Sequence, residues 1–269
     1  MREMTEVIDC HTHIFPDHGA ARIIEALQKE ADNVPAYTDG TRQGLLDSMK
    51  KAGITASVQV PVATRPDQVE TINNFAIKLN SPQIISFGAI HPQYLNFTRE
   101  MDRLKTAGIK GVKFHPEYQD FFPDDPALFP LYEQLVALDL VAFFHAGRDI
   151  AFSGVHGTPA HFARLIKSFP KLKLVLAHMG GFQMWDEVKE ELLGRNVYID
   201  TSFSMDYMGK RTFNYFLEHH DCQRVLFGTD SPWTDQSAEL NQLRGIVKDE
   251  DTLSKITFTN AKELLGMKP

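Results

Sequence analysis

Apolar and polar positions along the 269-residue chain follow two alternating rhythms. Short runs rich in β-branched, aromatic and leucine residues recur eight times, at residues 6–11, 56–62, 84–90, 111–115, 141–145, 172–177, 197–201 and 225–228. Between them lie stretches with apolar residues three and four apart, which predict amphipathic helices, among them 67–79, 127–138, 159–168 and 183–193. Runs such as Val-Ala-Phe-Phe at 141–144 are almost continuously apolar, as expected of strands covered by helices on one side and a barrel core on the other. Strands alternating with helices predict a parallel sheet. Eight such units favour a single-domain (β/α)8 TIM barrel over residues 1–269, with a doubly wound open sheet as the alternative.

The first unit is the irregular one. It runs from about residue 13 to residue 53 and is broken by Pro16, Gly19, Pro35 and Gly40, so it reads either as a loop covering an active site or as a plain insertion. No internal repeat, linker or low-complexity tract interrupts the remainder.

Composition narrows the partners. With 43% hydrophobic and 23% charged residues the chain can bury a sizeable core without disulfides. A net charge of −7 and a pI near 5.9 give no overall attraction to nucleic acid or anionic membranes, which leaves a small-molecule substrate as the expected partner and allows a homo-oligomer. Glu3 and Glu6 precede any apolar stretch, and no run approaches the ~20 apolar residues of a membrane span, so neither a signal peptide nor a transmembrane helix is expected. Two distant cysteines, Cys10 and Cys222, suit a reducing, cytoplasmic setting.

In a parallel barrel the chemistry gathers at the carboxyl ends of the strands, and four ends here carry it. The first strand ends Ile8-Asp9-Cys10-His11-Thr12-His13, the fifth Phe143-Phe144-His145-Ala146-Gly147, the sixth Leu176-Ala177-His178-Met179-Gly180-Gly181, and the eighth Phe227-Gly228-Thr229-Asp230-Ser231-Pro232. Two residues apart in an extended chain, His11 and His13 share a face and form half of a metal site. A third imidazole from His145 and a carboxylate from Asp230 would complete it and leave a position open for water. Each histidine alone has a bland explanation as a hydrogen-bonded wall residue. Their convergence on one mouth is what favours chemistry.

These four segments resemble the amidohydrolase superfamily, and within it the amidohydrolase-related branch that includes aminocarboxymuconate-semialdehyde decarboxylase and related hydrolases. The resemblance spans residues 8–232 and continues weakly through Thr259-Asn260-Ala261-Lys262-Glu263-Leu264-Leu265. It implies that His11, His13, His145 and Asp230 hold one divalent ion, zinc or else manganese. It also implies that His178 acts on substrate or water, with Asp230 accepting a proton. In the fourth strand, Gly111-Val112-Lys113-Phe114-His115, Lys113 and His115 share a face. Elsewhere in the superfamily a lysine here is carbamylated and bridges two metals, a role Lys113 could take, although one metal is usual in this branch. His115 lies nearer the mouth, where it would touch substrate or water as a catalytic residue or serve as a wall residue.

Substrate contacts are less legible. Arg148 and His156 on the loop after the fifth strand, Glu117 after the fourth and Trp233 after the eighth are the candidates. The reading that follows is a metal-dependent hydrolase of an ester, lactone or amide. A decarboxylase of an unsaturated or aromatic acid is the alternative, and would need a carboxylate clamp such as Arg148. A metal-dependent deoxyribonuclease suits the acidic chain poorly, and a non-catalytic scaffold would have no use for the full set of strand-end residues.

Overall fold

The computed structural model describes residues 6–267, so Glu3 lies outside them. All eight apolar runs form strands: β1 Ile8–Thr12, β2 Ala56–Gln59, β3 Ile84–Ser86, β4 Gly88–Ala89, β5 Gly111–Phe114, β6 Val141–Phe144, β7 Leu174–Leu176, β8 Tyr198–Asp200 and β9 Val225–Leu226. The third run is split at Phe87 into β3 and β4, so the fourth to eighth expected strands are β5 to β9. Every pairing is parallel, in the orders β1-β2-β3 and β4-β5-β6-β7-β8-β9.

Two joints turn these sheets into a ring. Phe87 donates its N–H to the Gln59 carbonyl at 2.9 Å, carrying the pairing across the split. On the other side Cys10 N–H bonds the Phe227 carbonyl and Asp230 N–H the His11 carbonyl, both at 2.8 Å. The sheet therefore closes on itself as a (β/α)8 barrel, and the open-sheet alternative falls away.

Alternation along the strands sorts the apolar residues into two layers. Ile8, Cys10, Val58, Phe87, Phe143, Val175 and Leu226 fill the barrel together with Ala261, Leu264 and Leu265 from the end of the chain. Their neighbours, among them Val112, Phe114, Ala142, Phe144 and Ile199, face outward onto helical residues such as Leu104, Leu131, Phe162 and Phe213. The same phase turns Lys113, His115, His145 and Asp200 to the inside, which is how a purely structural period delivers polar groups to one mouth.

The expected helices form at Val69–Leu79, Phe129–Ala137, Pro159–Ser168 and Trp185–Glu191, the first two entered through short 3-10 turns. Side-chain caps set several starts: Thr158 accepts from His161 N–H and Asp235 from Ala238 N–H. The long first unit holds helices Ala20–Glu30 and Arg42–Ala52, and between them Tyr37 N–H bonds the Pro232 carbonyl at 2.7 Å. It thus reaches the loop that follows Asp230. Gly147 is required where two strand-end loops meet: its φ is 83°, and a Cβ there would sit 2.2 Å from the Phe182 nitrogen. Both cysteines are free, and among the described residues no helix is long and apolar enough to cross a membrane.

Candidate active site

The pairing register of β1 against β2 shifts between Asp9 and Thr12. After Cys10, His11 also turns inward, its ring 5.0 Å from that of Phe143. His13 follows, with its ring centroid 5.2 Å from that of His11. Both histidines meet Asp230: His11 Nε2 lies 3.3 Å and His13 Nε2 3.0 Å from the same Oδ1. Asp230 holds this pose with φ at 66°, a left-handed conformation costing about 1–3 kcal/mol that the His11 carbonyl and the packed neighbours enforce. Gly228 makes the room, since a Cβ there would be 3.0 Å from His11 Cβ and 3.3 Å from Asp200 Cγ.

A second group stands beside the first. His178 directs Nδ1 at the Ser202 carbonyl, 3.0 Å, and Nε2 at His145 Nδ1, 3.1 Å. His145 donates Nε2–H to the Arg148 carbonyl at 3.1 Å and stacks on His115 with ring centroids 4.2 Å apart. His115 in turn donates Nε2–H to Asp149 at 3.2 Å, while its Nδ1 accepts weakly from Tyr118 N–H. The histidine and carboxylate atoms therefore fall into three triads able to hold an ion: His11, His13 and Asp230; His11, His178 and Asp200, which shares His11 with the first; and His115, His145 and Asp149, which shares no residue with either. His11, His13 and Asp230 come together in one triad, whereas His145 joins them through His178, whose ring is 5.3 Å from that of His11.

Protonation in this cluster leaves lone pairs facing one another. Burial pushes His11 and His145 well below the usual imidazole value, so both are neutral at physiological pH. His11 Nδ1 donates to Asp200 Oδ2, 3.0 Å away, so its Nε2 carries a lone pair, which faces the Asp230 carboxylate and Lys113 Nζ, each 3.3 Å away. His145 spends its only N–H on the Arg148 carbonyl and presents Nδ1 to His178. Burial alone would raise the Asp230 carboxyl, but the attraction of His11 and the hydrogen bond from His13 bring it down to about 2. Asp230 is thus held as the carboxylate. The His11 lone pair, His13 Nε2 and the Asp230 carboxylate converge, and a divalent cation would take the place of the proton that His13 shares with Asp230.

Lys113 is buried under this group. Its Nζ lies 3.3 Å from His11 Nε2 and 4.4 Å from the centre of the Phe143 ring, and burial brings its pKa down to about 8.

Residues 8–267 match the family model described as Amidohydrolase. The chain belongs to the amidohydrolase family. Membership makes it a metal-dependent enzyme of hydrolase or carboxy-lyase type. Among solved structures, this amidohydrolase is similar to 5-carboxyvanillate decarboxylase of Sphingomonas paucimobilis, at 18% identity over 98% of this chain and 100% of that one, TM-score 0.71. It is also similar to a probable 2-pyrone-4,6-dicarboxylic acid hydrolase of Acinetobacter baumannii, at 17% over 97% and 99%, TM-score 0.69. A manganese-bound dihydroxybenzoic acid decarboxylase of Polaromonas sp. matches at 16% over 98% and 97%, TM-score 0.74. At these identities the likeness carries the fold. No curated protein matches the chain in sequence.

The rim differs from expectation. Arg148 contributes backbone to the site while its guanidinium is exposed and makes no ion pair among the described residues. Glu117 is buried, its Oε1 accepting from the N–H groups of His156 and Gly157 at 3.0 and 3.1 Å and its Oε2 3.6 Å from His115 Nδ1, so it anchors a loop beside the His115 ring. His156 packs edge-on against Phe122 and lies 3.6 Å from Asp120. Trp233 is half-buried, with its N–H on the Asp230 carbonyl at 2.8 Å. Sequence reasoning passed over Asp200, Ser202 and Asp149. The signal for Asp200 was present, because Val-Tyr-Ile-Asp-Thr places a carboxylate at the carboxyl end of a predicted strand.

Proposed function

We propose that this amidohydrolase is a hydrolase of a small molecule bearing an ester, lactone or amide bond. The observation that carries the reading is the meeting of His11 and His13 on one Asp230 oxygen with His178 alongside: a carboxylate and an imidazole adjacent at the carboxyl ends of the strands. His11, His13, His145 and Asp230 would hold one divalent ion, zinc in our reading, with manganese the alternative. When bound, such an ion polarises a carbonyl oxygen and makes water acidic near neutral pH.

Asp230, ionised throughout the neutral range, accepts a proton at its carboxylate. His178 moves a proton at Nε2, because Nδ1 is occupied by the Ser202 carbonyl. His115, oriented by Asp149, faces substrate next to His145. Lys113 acts as a buried ammonium that balances the carboxylates, since its Nζ is already engaged by His11 and the Phe143 ring; a carbamylated bridge to a second metal is not part of this reading. Two unpaired cysteines are consistent with a cytoplasmic enzyme.

Decarboxylation is the second reading. Two of the structurally similar proteins named above are decarboxylases of aromatic acids, and the aromatic group Phe182, Phe203 and Tyr207 could receive a planar ring. Against it stands the exposed Arg148, which leaves a substrate carboxylate without its expected clamp. Metal analysis of the purified protein, joined to a screen of lactones, esters, amides and aromatic carboxylates, separates the two. Turnover of a lactone or ester by protein holding stoichiometric divalent metal is the expected result. Carbon dioxide release from an aromatic acid with every ester, lactone and amide untouched would replace hydrolysis by decarboxylation.

A further inference from the structure

Just past the end of β8 a single hydroxyl stands between two site histidines. Ser202 Oγ lies 2.9 Å from His11 Nδ1 and 3.1 Å from His178 Nδ1, and donates its own proton to Asp200 Oδ1. Asp200 is completely buried and divides its two oxygens unequally. Oδ1 receives three donors: the hydroxyl, the His178 N–H at 3.1 Å and the Ser202 N–H at 3.0 Å. Oδ2 receives His11 Nδ1 at 3.0 Å. The remaining partner of His178 Nδ1 is the Ser202 carbonyl at 3.0 Å.

A carboxylate and a carbonyl can only accept, and a hydroxyl that has spent its proton on Asp200 can only accept from the rings. Both Nδ1 atoms must therefore donate. We infer that Asp200 and Ser202 form one tautomer lock that holds His11 and His178 as Nδ1–H imidazoles, turning both Nε2 atoms toward Asp230 and His145. Asp200 is thus a positioning residue, acting through His11 on whatever cation the site binds. The inference rests on His11 serving as a metal ligand, and is testable apart from it. Outer partners of this kind fix the orientation and basicity of the ligand they hold, at a level of 10- to 100-fold in metal affinity.

The unequal division makes Asp200→Asn a directed test. Three donors on Oδ1 oblige the asparagine to keep its carbonyl oxygen there, so its amide nitrogen replaces Oδ2 and points a donor at His11 Nδ1. His11 Nδ1–H then keeps only the Ser202 hydroxyl as an acceptor against the facing amide donor, which drives the ring proton toward Nε2, the position from which it should offer a lone pair. Such an exchange can leave the geometry intact while installing the wrong tautomer.

Two measurements decide the matter. Nitrogen-15 spectra of the side-chain imidazoles in metal-free wild-type protein should show His11 and His178 protonated at Nδ1, and in D200N should show His11 protonated at Nε2. Zn²⁺ titration against a competing chelator should then show D200N binding on the order of 10- to 100-fold more weakly than wild type. Ser202→Ala, which leaves each ring its second acceptor, should keep both tautomers and stay within about threefold of wild-type affinity. Nε2–H on His11 in wild type would overturn the lock without any variant having to fold. So would unchanged Zn²⁺ affinity in a folded D200N. Wild-type protein that binds no Zn²⁺ yet shows both Nδ1–H tautomers would keep the lock and reject the metal reading instead.

Discussion

The two sides of the barrel mouth are built differently. On the β1, β8 and β9 side, Asp9, Asp200, Thr201, Ser202 and Thr229 are fully buried, and their side chains accept or donate several hydrogen bonds each. On the β5 and β6 side, His115 and Asp149 form a pair, but beyond them Arg148, Phe152 and Phe122 are exposed and the loop is held chiefly by Glu117. Over-determination on one side fixes ring orientations that the chemistry needs. Sparse contacts on the other leave side chains free to differ without unfolding anything, and substrate choice belongs there.

The sharpest way to break this contrast is Asp230→Asn. It turns the carboxylate on which His11 and His13 meet into a neutral amide, and it removes the proposed proton acceptor. Purified D230N should carry little divalent metal by elemental analysis and lose all but background turnover, while its melting temperature stays close to that of wild type. Stoichiometric metal with activity within tenfold of wild type would take Asp230 out of the centre.

A smaller effect is expected one layer behind, at Glu239 in the helix Gln236–Ile246. Its carboxyl is 5% exposed, and Oε2 has no partner among the described residues. Burial, followed by repulsion from Asp206, Asp9 and Asp230, pushes it up to about 8 from an ordinary value of 4.5. The folded protein thus holds a proton that the unfolded chain releases, so stability is fully present below about pH 4.5 and drains away as pH rises toward 8. Glutamine, shaped like the neutral acid, has no proton to lose. E239Q should therefore gain on wild type by on the order of 3 kcal/mol between about pH 5 and pH 8, read from thermal melts. A difference that does not change with pH would mean that Glu239 is ionised in the fold.

The contrast between the two sides also marks how far the sequence could be read. Strands such as Val141–Phe144 are buried on both faces, so their composition announces them, and polar residues closing such runs, His145 or Asp230, stand out against the apolar background. Asp200 closes a run in the same way. It escaped notice because its meaning depends on phase: only with Ile199 facing the helices does Asp200 turn inward onto His11. The rim offered no such period. Glu117 and Arg148 look like substrate residues on a loop, and nothing local says that the first bends inward to hold His156 and Gly157 while the second sends its side chain outward. The split of the third strand at Phe87 and the helices within the long first unit were likewise set by packing rather than by local pattern.

The smallest effect expected is at Arg148 itself, and it tests the exposed side directly. The useful atoms of this residue are in its backbone: N–H bonds the Phe182 carbonyl at 2.9 Å, and its own carbonyl takes the proton of His145 Nε2. Replacing the side chain by methionine keeps both. Surface substitutions away from such contacts change free energies by about 0.5 kcal/mol or less, so kcat and KM for R148M should each stay within about threefold of wild type. The split between the two constants is what matters. A KM raised a hundredfold at unchanged kcat would mean that the guanidinium swings in to grip an anionic substrate, which would give the exposed side a fixed chemical duty like that of the buried one and shift the chemistry toward a carboxylic acid.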